Sequence, residues 1–157
     1  MLQCYDDEDL EVGVDEVARG CLAGPVFSAA VIWPKEELED QPLIKDSKKL
    51  SKQRREYLRD YIEENAIDFS VSYMDNNVID NVNILNATYK AMHSALDNLN
   101  VIPDSIIVDG HKFKPYSKDG DFISHKCIIG GDNKYIPIAC ASILAKVYHD
   151  EYIENLM

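Results

Sequence analysis

The sequence predicts an α/β fold, a mixed β-sheet flanked by helices. Two observations predict it. Short runs rich in β-branched and aromatic residues alternate along the chain with longer runs at helical spacing. The first two strand candidates follow one another across a Gly- and Pro-marked link and can pair antiparallel, whereas later strands are separated by helices, which crossover connections require. The 157 residues, 46% of them apolar, suffice for one sizeable core, so a single domain over residues 1–157 is expected.

Val12 to Val17 is a short apolar run interrupted by Asp15 and Glu16. Val26 to Trp33 (VFSAAVIW) is the second strand candidate, ended by Pro34. Ser51 is placed to N-cap a helix running to about Asn65, with Tyr57, Leu58, Tyr61 and Ile62 as its apolar stripe. Ile67 to Tyr73 alternates with period two and reads as a strand. Ile84 to Leu99 reads as a second helix, with Ala87, Ala91, Ala95 and Leu96 on one side. Pro103 introduces a short buried strand, Ser105 to Val108, and Ile123 to Ile129 is a further strand candidate. Pro137 fits the first turn of a final helix, apolar and rich in small residues. The order is β-β-α-β-α-β-β-α.

The formal net charge is −12, which by itself argues against a nucleic-acid partner. Its distribution argues otherwise. Between Lys45 and Arg59 lie seven of the sixteen basic residues, whereas residues 1–16 hold seven acids and no Lys or Arg. A locally basic surface can grip a phosphate backbone, and gathered acids can hold cations that invert the local sign. No apolar run is long enough to span a bilayer, and the N-terminus lacks the features of a signal peptide, so a cytoplasmic location is expected. Cys4, Cys21, Cys127 and Cys140 are scattered without a C-x-x-C pair and read as free thiols. His93, His111, His125 and His149 show no metal-ligand spacing.

Four acids break or end an apolar segment. Asp15 and Glu16 sit inside GVDEV, where successive side chains point to opposite faces and an unpaired buried charge would be costly. Asp109 ends SIIV at a strand-to-loop boundary, although Asp before Gly is also a plain turn. Asp132 follows Gly130-Gly131, which suits either a loop or a close approach. Carboxylates meeting at one point could not all stay ionised without cations, and hard oxygen ligands select Mg²⁺ or Mn²⁺.

These segments resemble ribonuclease HII, the bacterial type 2 ribonuclease H. The similarity lies in GVDEVARGCLAGPVFSAAVIW at 13–33, DSKKLS at 46–51, NILNAT at 83–88, VDG at 108–110 and GDNKYIPIACASILAKVYHD at 131–150, in the family's order. The resemblance implies a ribonuclease H-like fold with a five-stranded mixed sheet. It implies that Asp15, Glu16, Asp109 and Asp132 are both the catalytic and the metal-binding residues, holding two Mg²⁺ or Mn²⁺ ions with Asp15 bridging them. The implied activity is cleavage of the RNA strand of RNA–DNA hybrids, leaving a 3′-hydroxyl and a 5′-phosphate, by a monomeric protein with no membrane partner. The family reads the ribose 2′-hydroxyl through a Gly-Arg-Gly segment, matched here by Ala18-Arg19-Gly20, with alanine in place of the first glycine. It holds substrate phosphates near DSKK, which nominates Lys48. His149 stands where the family usually has Arg.

In the family, a later Gly-Tyr segment supports incision beside a single ribonucleotide. The sequence stops at Met157, before that segment, so junction incision is expected to be weak. Two other readings compete: a non-catalytic hybrid-binding module, and a resolvase-like nuclease on the same fold.

Overall fold

A computed structural model describes residues 1–7, 9–18, 24–75 and 81–156, with side chains from residue 84 onward in the segment that begins at 81. Its elements are β1 (Glu11–Ala18), β2 (Val26–Ile32), α1 (Lys52–Asn65), β3 (Asp68–Met74), α2 (Asn81–Asp97), β4 (Ser105–Asp109), β5 (Tyr116–Lys118), β6 (Asp121–Ile128) and α3 (Ile136–Asn155). Short 3₁₀ turns occupy Ser47–Lys49 and Gly131–Asn133.

Among the described residues the sheet has six strands, in the order β3-β2-β1-β4-β6-β5. β1 pairs antiparallel with β2 and parallel with β4, and β4 pairs parallel with β6. The mixed sheet is the one expected; its strand count is not. The additional strand is β5, three residues joined to β6 through Asp119-Gly120, whose φ values of 54° and 88° suit a tight hairpin. A polar run that short has no readable alternation.

Ser51 caps α1 as the sequence requires, its hydroxyl accepting the Arg54 N–H at 3.1 Å. Helices cover both faces of the sheet. On one side Leu58 and Ile62 of α1 and Ile143 and Leu144 of α3 pack over Ala29 and Val31. On the other, Met92, Ala95 and Leu96 of α2 pack on Val12, Val14, Ile106 and Val108. From Ile136 to Ala145 every α3 residue is buried, since the helix is caught between the sheet and α1. That explains a run apolar on all sides rather than striped. Among the described residues, no helix is long and apolar enough to cross a membrane.

Gly13 sets how closely α3 lies on the sheet. A Cβ there would stand 2.4 Å from the Pro137 carbonyl carbon and 2.6 Å from the Ile138 nitrogen. Only a residue without a side chain lets the start of α3 rest on the β1 backbone.

Candidate metal centre

The parallel register of β1 and β4 ends with Val14 opposite Val108. The next residue on each strand is a carboxylate, Asp15 on β1 and Asp109 on β4. The third carboxylate, Asp132, comes from the turn between β6 and α3. Gly130 enters that turn with φ of 67°, which favours glycine. One oxygen from each of Asp15, Asp109 and Asp132 lies within 4.8 Å of the others. Hydrogen bonds tie the cluster to the backbone: the Asp132 N–H donates to Asp109 Oδ1 at 3.4 Å, and the Glu16 N–H to Asp15 Oδ1 at 2.7 Å. Ser28 Oγ donates to the Asp15 carbonyl at 2.8 Å, fixing β1 where the acid sits.

Glu16 is half-buried and is not one of the three converging acids. It stands near enough to Asp109 and Lys48 to feel both charges. Strand alternation starts its side chain on the face opposite Asp15, yet its carboxylate still lies within the field of Asp109.

The electrostatics follow from crowding. Burial, then the Asp109 and Glu16 charges, push the Asp15 carboxyl well above the usual range. Burial, then Asp109, raises Glu16. Burial, then Asp109 and Asp46, raises Asp132 from 3.8 to about 6, against the opposing pull of Lys48. The Lys48 ammonium is raised in turn, chiefly by Asp132 and Asp46. Three oxygen donors that repel one another in a buried place suit a hard divalent cation, which would relieve the repulsion.

Lys48 also reaches the cluster, its Nζ 3.8 Å from Asp132 Oδ2. The Ser47–Lys49 turn that carries it is held at several points. Asp46 Oδ1 accepts the Lys48 N–H at 3.0 Å. Arg55 Nη1 donates to the Ser47 carbonyl at 3.2 Å and the Leu50 carbonyl at 2.6 Å. The Ser47 and Ser142 hydroxyls share a buried hydrogen bond of 2.7 Å, joining the turn to α3. A cleft of about 260 Å³ is lined by the three acids together with Ala18, Lys48 and Lys146.

Of the nominated substrate-binding residues, Ala18 closes β1 opposite Val26. Arg19 and Gly20 lie outside the described residues. Three contributors went unread in the sequence. Asp46 is buried and hydrogen-bonded to Asp132, and its signal was an acid opening a basic stretch. Ser142 and Lys146 gave a weaker signal, polar residues in an apolar helix. Cys4, Cys127 and Cys140 are free thiols.

The chain is similar to known proteins along most of its length. Residues 12–157 match the family model described as Ribonuclease HII. A ribonuclease HII of Christiangramia forsetii is 49% identical over 156 residues, covering 99% of this chain and 76% of the relative. One of Bacteroides fragilis is 46% identical over 156 residues, covering 99% and 75%. The crystal structure of the ribonuclease H2 from Pyrococcus horikoshii superposes with a TM-score of 0.75 at 26% identity, over 93% of this chain and 74% of that one.

Proposed function

The chain belongs to the ribonuclease HII family, and we propose that it is an endonuclease hydrolysing the RNA strand of RNA–DNA hybrids with the help of divalent cations. The observation that carries this reading is the meeting of Asp15, Asp109 and Asp132 oxygens within 4.8 Å. These three residues, with Glu16 beside them, would hold two Mg²⁺ or Mn²⁺ ions. When bound, such ions polarise the phosphoryl oxygens and make water a stronger nucleophile at neutral pH. The chain's own residues do the rest. Burial of Asp15 and Asp132 keeps the ligands dry and fixed, so little reorganisation accompanies cation binding. Lys48, its side chain 80% exposed, offers an ammonium to a substrate phosphate beside the acids. Ala18 closes β1 two residues beyond Glu16, and the Ala18-Arg19-Gly20 segment that begins there would meet the 2′-hydroxyl that separates RNA from DNA. Hydrolysis in this sense leaves a 3′-hydroxyl and a 5′-phosphate.

The test is incubation of the protein with a labelled RNA–DNA hybrid, an all-DNA duplex, a branched DNA junction and a duplex bearing one ribonucleotide, each with Mg²⁺, Mn²⁺ or a chelator. The expected result is cation-dependent cutting of the RNA strand with the DNA controls intact. Binding of hybrid without any turnover would favour the non-catalytic module, and cutting of the junction the resolvase-like nuclease. The one-ribonucleotide arm reads junction preference.

A further inference from the structure

We propose that residues 2–6 form a positioning strap for the metal centre, fixing the Asp132 turn through main-chain hydrogen bonds; the inference rests on reading Asp132 as a metal ligand. Asp132 lies just before α3, and the start of that helix is poorly capped by its own side chains. Tyr135 at the N-cap position makes no side-chain cap bond, and Pro137 brings no N–H. The free Ile136 N–H donates instead to the Leu2 carbonyl at 2.9 Å, while the Leu2 N–H donates to the Lys134 carbonyl at 2.8 Å. Leu2 and Tyr135 thus form a one-residue parallel bridge directly after the Asp132 turn. Leu2 is 61% exposed, so its own burial does not hold the strap there.

The other end of the strap is fixed to β1. The Tyr5 and Asp6 N–H groups donate to the two oxygens of the Glu11 carboxylate at 3.0 and 2.8 Å. Glu11 is buried and opens the strand that carries Asp15, and a buried charge needs such donors. Between the two anchors, the Tyr5 ring meets Tyr135 edge-on at 5.4 Å, and Gln3 Nε2 donates to the Pro34 carbonyl at 3.2 Å. The strap therefore links the strand of Asp15 to the turn of Asp132 from outside the sheet. It constrains the separation of two carboxylates that come from distant parts of the chain, and it does so without touching a cation or substrate.

Leu2→Pro tests this, because it removes the N–H that reaches Lys134, whereas Leu2→Ala retains both main-chain bonds. The readout is the Mn²⁺ dissociation constant, taken from the electron paramagnetic resonance signal of free Mn²⁺ at a temperature where circular dichroism shows the variants folded. Leu2→Pro is expected to weaken Mn²⁺ binding about five-fold, the scale of one net backbone hydrogen bond, with Leu2→Ala matching the unaltered protein. Amide hydrogen exchange on the unaltered protein supplies a measurement that needs no variant: the Ile136 amide should be protected. Undiminished Mn²⁺ binding by folded Leu2→Pro, or an Ile136 amide exchanging at the free-coil rate, overturns the strap. Failure of the unaltered, Mn²⁺-loaded protein to cut hybrid would overturn the proposed function and leave the strap intact, so the two failures are separable.

Discussion

Lys48 Nζ stands 3.8 Å from Asp132 Oδ2, yet the lysine side chain remains 80% exposed. The ammonium pairs with the acidic cluster and still faces solvent. Lys48→Ala should weaken hybrid binding by about 1.5–3 kcal/mol, the range for a hydrogen bond to a charged group. It should also lower the slope of log affinity against log salt by about one unit. Affinity of the two proteins over a salt series checks this; parallel slopes would remove Lys48 from the phosphate contact.

Asp132 titrates at about 6 rather than 3.8 because burial and its acidic neighbours favour the neutral form. The folded state therefore holds its proton more tightly than the unfolded chain. The stability from this group is fully present below about pH 4, is lost as pH rises through about 6, and stays lost above. A gap of about two units sets the scale at no more than about 3 kcal/mol. Asp132→Asn should raise the metal-free Tm relative to the unaltered protein at neutral pH, with the difference shrinking towards pH 4. Added Mn²⁺ should raise the Tm of the unaltered protein more at pH 7.5 than at about pH 5, since the cation needs the ionised form. Thermal melts across pH, with and without Mn²⁺, read both effects.

Gly13→Ala should cost at least about 2–3 kcal/mol, because the contact it creates is with backbone and cannot be relieved by a side-chain rotation. The clash is with the start of α3, so metal affinity should fall along with stability. Urea unfolding of Gly13→Ala, followed by Mn²⁺ titration of whatever remains folded, measures both.

Ser142→Ala leaves the buried Ser47 hydroxyl without its 2.7 Å partner. The expected loss is about 1–3 kcal/mol. Because Ser47 begins the turn that carries Lys48, the KM for hybrid should rise more than kcat falls. Steady-state kinetics on the variant separate the two.

The sheet and helices were largely legible because their patterns are strong. Ser51 as a cap, Pro137 in a first turn, and the paired opening strands each follow from local chemistry. β5 was not legible from alternation, although Asp119-Gly120 is the turn signal that closes its hairpin. Asp15 stands out inside an apolar run, Asp109 at the end of one and Asp132 after Gly130-Gly131, but the meeting of Asp15 with Asp109 depends on a parallel register between β1 and β4 that no local pattern encodes. Asp46 is not legible in the sequence, because an acid beside three lysines resembles a solvated surface and only its burial distinguishes it. The Leu2 bridge is invisible to any sequence pattern, since main-chain groups make it.

The most direct test of the account is Mn²⁺ binding by the unaltered protein and by Asp15→Asn, each confirmed folded. The expected result is saturable binding of two ions by the unaltered chain and its loss in the variant. Binding of Mn²⁺ by Asp15→Asn with the same affinity and stoichiometry would contradict it.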